Sequence, residues 1–483
     1  MTTASQEALI ASVVEQVLQQ VGPGRTVVSA PVPSAAPSAG SGSTTQGPGL
    51  FTDVDAAVEA ATTSQRQLAG AGLETRGGIC DMLKRTAREN AESWGRIELE
   101  ETKIGRLDHK IVKLELLDAV PGVEFLRTEA HSGDQGVSLD EAAPWGVIGV
   151  ITPVTHSIPT LTSNAVSMIA AGNSMVVNPH PGGAKCAAMA AAFYNRQVKE
   201  QFGIDPLICV VNPPTLKTAE QIFRHERIGL LAVTGGPGVA RAALKQQKRA
   251  IVAGPGNPPV VVDTTADFDS AAKHIIMGAA FDNNLLCIGE KEVFVEAPVF
   301  NLMMQAMRRA GAVELNAQQI KRLADTVFTF EKDHHVLNKQ FVGADTHVLG
   351  EAAGANVPKG VDLLFGETDE SSPFVNEEQM TPFVPFVRCR DFDHALALSI
   401  KYEHGFGHTA VIHSNNLEHI TKMGQAMNVT LFVANGPSTA CLGVGGEGYA
   451  SYSIATPTGE GVTNPLTFTR FRRFSVGGSM RIV

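Results

Sequence analysis

Val147-Ile148-Gly149-Val150-Ile151-Thr152 is an apolar run of strand length, and the rhythm of the segments after it decides the fold. Further apolar runs fall at 174–178, 207–212 and 228–234, and segments with helical spacing lie near 157–171, 184–200, 215–225 and 238–247. Strands that read as buried on both faces, alternating with helices, are the pattern of a parallel sheet covered on each side. The chain is therefore expected to be α/β. In such sheets ligands sit outside the carboxyl ends of the strands. Ile151-Thr152-Pro153 and Asn178-Pro179-His180-Pro181 are thus candidates to line a crevice, although the prolines serve equally well to end their strands.

Working outward, residues 53–127 carry helical periodicity, with helices expected at 53–69, 75–93 and 110–127. A second α/β region runs from about 260 to 433, and 466–474 reads as a late strand. The N-terminus is different in kind. Leu9, Ile10, Val13, Val14, Val17, Leu18 and Val21 form one apolar stripe, Gly22-Pro23-Gly24 stops the helix, and 29–49 is a Pro/Ser/Ala/Gly tether. A short helix on a tether needs a docking surface, either on its own domain or on another protein. It lacks the basic start and continuous apolar core of a secretory signal.

With a net charge of −10, the chain is a poor partner for nucleic acid or an anionic membrane. No apolar run approaches the roughly 20 residues needed to cross a bilayer. Cys80, Cys186, Cys209, Cys287, Cys389 and Cys441 are scattered without paired spacing, so no metal site is expected and reduced thiols in the cytosol fit best.

Two motifs carry chemistry. Thr234-Gly235-Gly236-Pro237-Gly238 follows an expected strand and opens an expected helix, which suits either a dinucleotide pyrophosphate or an ordinary turn. Arg241, Lys245, Lys248 and Arg249 come next, as phosphate partners or as a solvated face. Cys287 sits in Phe281-Asp282-Asn283-Asn284-Leu285-Leu286-Cys287-Ile288-Gly289-Glu290-Lys291, as a nucleophile or as a buried structural thiol. A thiolate beside a nicotinamide would oxidise an aldehyde through a thioester. His156, His180 and His408 are candidate polar partners.

Ala143–Ile148, Met168–Ser174, Val233–Gly238, Gly254–Asp263, Phe281–Asn284 before Cys287, Gly443–Gly448 and Thr456–Gly461 together resemble the aldehyde dehydrogenase superfamily over essentially everything after residue 50. The likeness is nearest to the CoA-acylating aldehyde dehydrogenases of bacterial microcompartments, of propionaldehyde and acetaldehyde type. The resemblance implies a Rossmann-type NAD-binding domain, an α/β catalytic domain and a β oligomerisation flap. The corresponding ranges are 51–259 for NAD and coenzyme A, 260–435 for catalysis, 436–463 returning to the first domain, and 128–145 with 464–483 for the flap. Residues 1–22 resemble an encapsulation peptide and 23–50 its linker, implying a microcompartment shell protein as partner and a cytoplasmic location inside the shell. A homodimer or homotetramer is expected.

By the same match Cys287 is the nucleophile, and Ile151, Thr152, Pro153, Asn178, His180, Thr234, Gly235 and Gly236 line the dinucleotide site, with Glu378 at the nicotinamide ribose. Relatives that hydrolyse the thioester carry a glutamate where this chain has Ala253, and no Asp or Glu occurs from 227 to 262. A thioester without a nearby base resists water but yields to a thiol such as coenzyme A. The reading is therefore NAD-dependent oxidation of a small aldehyde to acyl-CoA. A hydrolytic enzyme or an inactive shell-binding homologue are the alternatives. Where relatives place an asparagine as oxyanion donor, this chain has His156, with Thr155 the other possible donor. His408 is a further candidate to assist coenzyme A deprotonation.

Overall fold

The computed structural model describes residues 47–331 and 334–480. The expected helix 1–22 and the linker up to residue 46 lie outside the described residues.

Six parallel strands form the first sheet, in the order Leu50–Phe51, Ile208–Val211, Ser174–Pro179, Val147–Thr152, Ile228–Thr234, Ala250–Ala253. Successive side chains of Val147–Thr152 feed opposite faces. Ile148 and Val150 pack with Leu83, Trp94 and Leu161, whereas Val147 and Ile151 pack with Val58, Val211 and Phe223. Full burial of each such side chain contributes about 1.5–3 kcal/mol, which is why the run is continuously apolar. From Val147–Thr152 the chain builds outward first to one side and later to the other. The order therefore reverses between Val147–Thr152 and Ile228–Thr234, and a crevice opens at their carboxyl ends.

A second, seven-stranded parallel sheet runs Val313–Glu314, Leu364–Thr368, Phe383–Cys389, Glu292–Glu296, Pro259–Val262, Thr409–His413, Leu431–Ala434. Glu129–Gly133, Gly136–Pro144 and Thr469–Gly477 make a separate antiparallel sheet. The fold is thus α/β with a parallel Rossmann-like sheet, as expected. Among the described residues no helix is long and apolar enough to cross a membrane.

Several expected boundaries move for local reasons. The segment 110–127 is a helix only over Leu107–Glu115, followed by 3-10 turns at Leu116–Ala119 and Val123–Phe125, because Pro121-Gly122 cannot continue it. The expected helix 75–93 is instead Gly72–Glu89, and a new one, Ala91–Thr102, starts after Asn90, whose side-chain amide bonds back to the Thr86 carbonyl at 2.8 Å. In the tail, Asn464 caps a 3-10 turn Pro465–Phe468, so the strand begins only at Thr469. The folded body also starts earlier than residue 51. The Gly49 carbonyl accepts from the Val210 amide at 2.8 Å, and Gly49 at φ +78° lies so close to Asn195 that a Cβ would fall 2.1 Å from its Nδ2.

Candidate active site

A cavity of about 620 Å³ opens at the carboxyl ends of the first sheet and is closed by segments of the second. That is the size of a ligand cleft. The positions expected to hold the dinucleotide or to form and stabilise the thioester all line it: Ile151, Thr152, Pro153, Thr155, His156, Asn178, His180, Thr234, Gly235, Gly236, Cys287 and Glu378.

One end suits a dinucleotide. Thr234 ends its strand, with its hydroxyl 2.7 Å from that of Ser453. Gly235 and Gly236 then lead into the helix Pro237–Leu244, and a Cβ added at Gly236 would meet nothing within 4 Å, leaving backbone free for close approach by a ligand. The Thr152 hydroxyl is buried without a partner. Asn178 is held by Thr218, whose hydroxyl donates to its Oδ1 at 2.6 Å. His180 is exposed at the rim, its Nδ1 accepting from the Gly182 amide at 3.0 Å. Arg241, Lys245, Lys248 and Arg249 do not line the cavity; Lys248 donates to the His225 carbonyl and Arg249 pairs with Glu460 at 3.2 Å.

The other end holds the thiol. Asp282, Asn283 and Asn284 all have positive φ, at 50°, 55° and 65°. Such backbone costs on the order of 1–3 kcal/mol per residue and persists only where surroundings over-determine it. Here the Arg106 amide donates to Asp282 Oδ1 at 2.8 Å, Asn283 Nδ2 donates to the Gly343 carbonyl at 2.9 Å, and Asn284 Nδ2 donates to the Glu290 carbonyl at 2.9 Å. The segment delivers Cys287, half-buried, to the cavity wall. Burial, then the Glu378 carboxylate, push its thiol up to about 12, against the pull of the Lys291 ammonium and the backbone N–H groups of Cys287 and Ile288. The resting sulfur is therefore a thiol. Lys291 is buried and donates to the Asn284 carbonyl at 2.9 Å.

Among the described residues Glu378 is the one acidic side chain lining the cavity, its Oε1 accepting from the Gly256 amide at 3.3 Å. Ala253 lines the same wall. Opposite, Thr155 and His156 turn from the strand Val147–Thr152 into the helix Ser157–Ala170. His156 is buried with Nδ1 unpartnered, and burial followed by the nearby Lys113 charge hold its pKa well below the usual histidine range. Its ring lies 5.7 Å from that of Tyr452, whose hydroxyl donates to the Lys113 carbonyl at 2.7 Å. His408 does not line the cavity. It is fully buried behind Gly256, Nδ1 2.8 Å from the Thr409 hydroxyl, and burial pushes it down to about 4. The sequence reading missed Lys113, Tyr452 and the reach of Lys291. Lys110, Lys113, Leu114 and Leu117 share one buried helical face, and that spacing was the available signal. Among the described residues no cluster of three or more His, Cys, Asp or Glu side chains could hold a metal ion.

Residues 29–453 match the aldehyde dehydrogenase family. The acetylating acetaldehyde dehydrogenase EutE of Salmonella typhimurium (strain LT2) is 40% identical over 439 residues, covering 90% of this chain and 94% of that one. A solved propionaldehyde dehydrogenase from the Clostridium phytofermentans fucose utilisation bacterial microcompartment superposes with a TM-score of 0.88 at 39% identity, over 90% of this chain and 100% of that one. The Rhodopseudomonas palustris propionaldehyde dehydrogenase, solved with bound propionyl-CoA, superposes at 0.86 and 37% identity, over 89% of this chain and 95% of that one. In sequence and in fold alike, the chain belongs to the aldehyde dehydrogenase family.

Proposed function

We propose that this chain is an NAD-dependent, CoA-acylating aldehyde dehydrogenase that converts a short-chain aldehyde, propionaldehyde or acetaldehyde, to its acyl-CoA. The observation that carries the reading is one cavity holding Cys287 with Ala253, not a glutamate, on its wall. The resemblance of sequence and fold to enzymes named for that reaction supports it.

The residues present fit NAD: an open Gly235-Gly236 turn, the unpartnered Thr152 hydroxyl, Asn178, and Glu378 for the ribose. When bound, the nicotinamide supplies the acceptor for the aldehyde hydride. Cys287 releases its proton to solvent water and its sulfur bonds to the carbonyl carbon as the C=O π pair moves to oxygen, giving the hemithioacetal oxyanion. The oxyanion is assigned to the Cys287 backbone N–H with His156 or Thr155 as side-chain donor. Once oxidised, the acyl group is held on Cys287 as a thioester. The thiol of coenzyme A attacks it, the bond to Cys287 breaks, the incoming thiol's proton ends on the Cys287 sulfur, and the acyl-CoA leaves, so kinetics are ping-pong.

Residues 1–22 are assigned to docking on a microcompartment shell protein, on the strength of their apolar stripe, and the enzyme is accordingly assigned to the inside of a cytoplasmic shell. Self-association is assigned to the sheet ending in Thr469–Gly477, whose Phe471 and Phe474 are 70% and 59% exposed. We assign 51–259 to cofactor binding and 260–435 to catalysis.

The test is NADH formation from propionaldehyde and NAD, with and without coenzyme A, with the product identified by mass spectrometry. Sustained turnover to propionyl-CoA only when coenzyme A is present is expected, and Cys287→Ala should abolish it in a folded protein. Free propionate without coenzyme A would replace this reading with hydrolysis. Deleting residues 1–22 should spare activity and end co-purification with shells.

A further inference from the structure

Beneath the cavity lie four charged side chains, all essentially out of solvent: Glu98, Lys110, Lys113 and Asp282. Lys113 Nζ pairs with Asp282 Oδ2, Lys110 Nζ lies 3.7 Å from the same oxygen, and Lys110 Nζ lies 3.5 Å from Glu98 Oε1. Two cations and two anions cancel, as buried charges must. What the group grips is more specific. Lys113 Nζ also donates to the Thr155 carbonyl at 3.0 Å, and Glu98 Oε2 accepts from the Ile158 amide at 3.0 Å. These are the backbone groups on either side of His156. Asp282 is the first residue of the left-handed segment that delivers Cys287.

We infer that Lys113 is a positioning residue, which ties the Thr155 carbonyl to the Asp282 carboxylate and so sets the His156 side chain against the Cys287 loop. The inference rests on the thioester chemistry proposed above and adds to it the part of the chain that aligns its oxyanion donor. Two loops from different regions meet at the cavity, and the buried ammonium is a shared anchor for both. His156 has no hydrogen bond at Nδ1 to fix its ring, and the backbone before and after it is held by the quartet through the Thr155 carbonyl and the Ile158 amide. A donor misplaced by about 1 Å can cost on the order of 100-fold in rate.

The test uses the full chain carrying Lys113→Met, which keeps side-chain length and removes the ammonium. Two reactions of the same sulfur are compared. The single-turnover burst of NADH from propionaldehyde and NAD passes through an oxyanion, whereas alkylation by iodoacetamide, a displacement at saturated carbon, does not. The burst should fall by at least about tenfold, toward the roughly 10²–10³-fold of losing an oxyanion donor outright. The KM values for NAD and coenzyme A should stay within about twofold and alkylation within about threefold, since uniform binding and thiol access are untouched. A burst at the wild-type rate overturns the inference. A burst and an alkylation rate that fall together overturn it as well, because Lys113 would then merely support the Cys287 loop. Lys113→Met strands Asp282, so the double variant Lys113→Met/Asp282→Asn, with no unpaired buried charge, guards against misfolding. The same split is expected there, and a wild-type burst again sinks the idea. Absence of any NADH from the wild-type chain would instead reject the functional reading, and the inference with it.

Discussion

Gly256 lies against the carbonyl oxygen of Cys287: a Cβ at residue 256 would stand 2.5 Å from that oxygen and 3.0 Å from Cγ of His408. The Gly256 amide donates to Glu378, so this one residue joins the Cys287 loop, a buried histidine and the cavity carboxylate. Gly256→Ala has no room unless the Cys287 backbone or the His408 ring moves. Overpacking of this kind costs about 1–3 kcal/mol in stability. The larger effect is expected in catalysis, a fall of about 10- to 100-fold in kcat from displacing the sulfur. Steady-state kinetics beside a thermal melt will separate the two, and an unchanged kcat would show that the loop tolerates the shift.

Cys287 and Glu378 are coupled by charge, which makes thiol reactivity a probe of the resting site. With its pKa near 12, Cys287 in the free enzyme should alkylate slowly at neutral pH, the rate climbing about tenfold per pH unit toward pH 10 as the thiolate fraction grows. Burial is the larger cause of the raised thiol, and Glu378→Gln removes the negative charge that adds to it, so alkylation should become faster at a given pH. The KM for NAD should rise in the same variant if Glu378 meets the ribose. Iodoacetamide rates from pH 7 to 10 check this, and a plateau near neutrality would mean that the thiolate is already formed.

Glu290 is buried, accepting from the Ser438 amide at 2.7 Å and the Ser438 hydroxyl at 2.9 Å. Burial pushes its carboxyl up to about 7 from an ordinary 4.5. Below that ordinary value both folded and unfolded chains hold the proton, and nothing is lost. As pH rises the unfolded chain releases it first, so the fold loses stability between about 4.5 and 7 and the loss is constant above. Glu290→Gln cannot ionise and should gain on wild type by on the order of 3 kcal/mol between pH 4.5 and 8. Denaturant unfolding at the two pH values measures this. A gap independent of pH would show that folding leaves the Glu290 carboxyl at its ordinary pKa.

What the sequence reveals depends on whether the deciding contacts are local. Val147–Thr152 and Ile228–Thr234 were legible to the residue because strands buried on both faces have no polar side to blur their ends. Helix ends set by one side chain, as at Asn90, were not. The cavity-lining positions were legible because they fall at strand ends and in glycine turns, or because they resemble known motifs. The quartet beneath them was half visible. Glu98 falls on the stripe of Ala91 and Trp94, and a charge at an apolar position announces a buried ion. Its partners could not be named, since Asp282 comes from a loop far along the chain and meets Lys113 only through the tertiary fold.

Ala253 offers the sharpest test of why a thiol rather than water should take the acyl group. It ends the strand Ala250–Ala253, lines the cavity that holds Cys287, and is itself buried, with no acidic side chain but Glu378 on the same wall among the described residues. Glu378 is engaged by the Gly256 amide, which occupies its Oε1. Ala253→Glu would bring a second carboxylate to the wall of a cavity of about 620 Å³. General-base assistance contributes about 10²–10⁴-fold, enough to bring a sluggish thioester hydrolysis into a measurable range. The variant should form propionate and NADH over many turnovers without coenzyme A, where the parent stops after one. Its yield of propionyl-CoA in the presence of coenzyme A should fall as water competes. If the variant folds and still turns over only with coenzyme A, resistance to water must come from exclusion of water itself and not from the missing carboxylate.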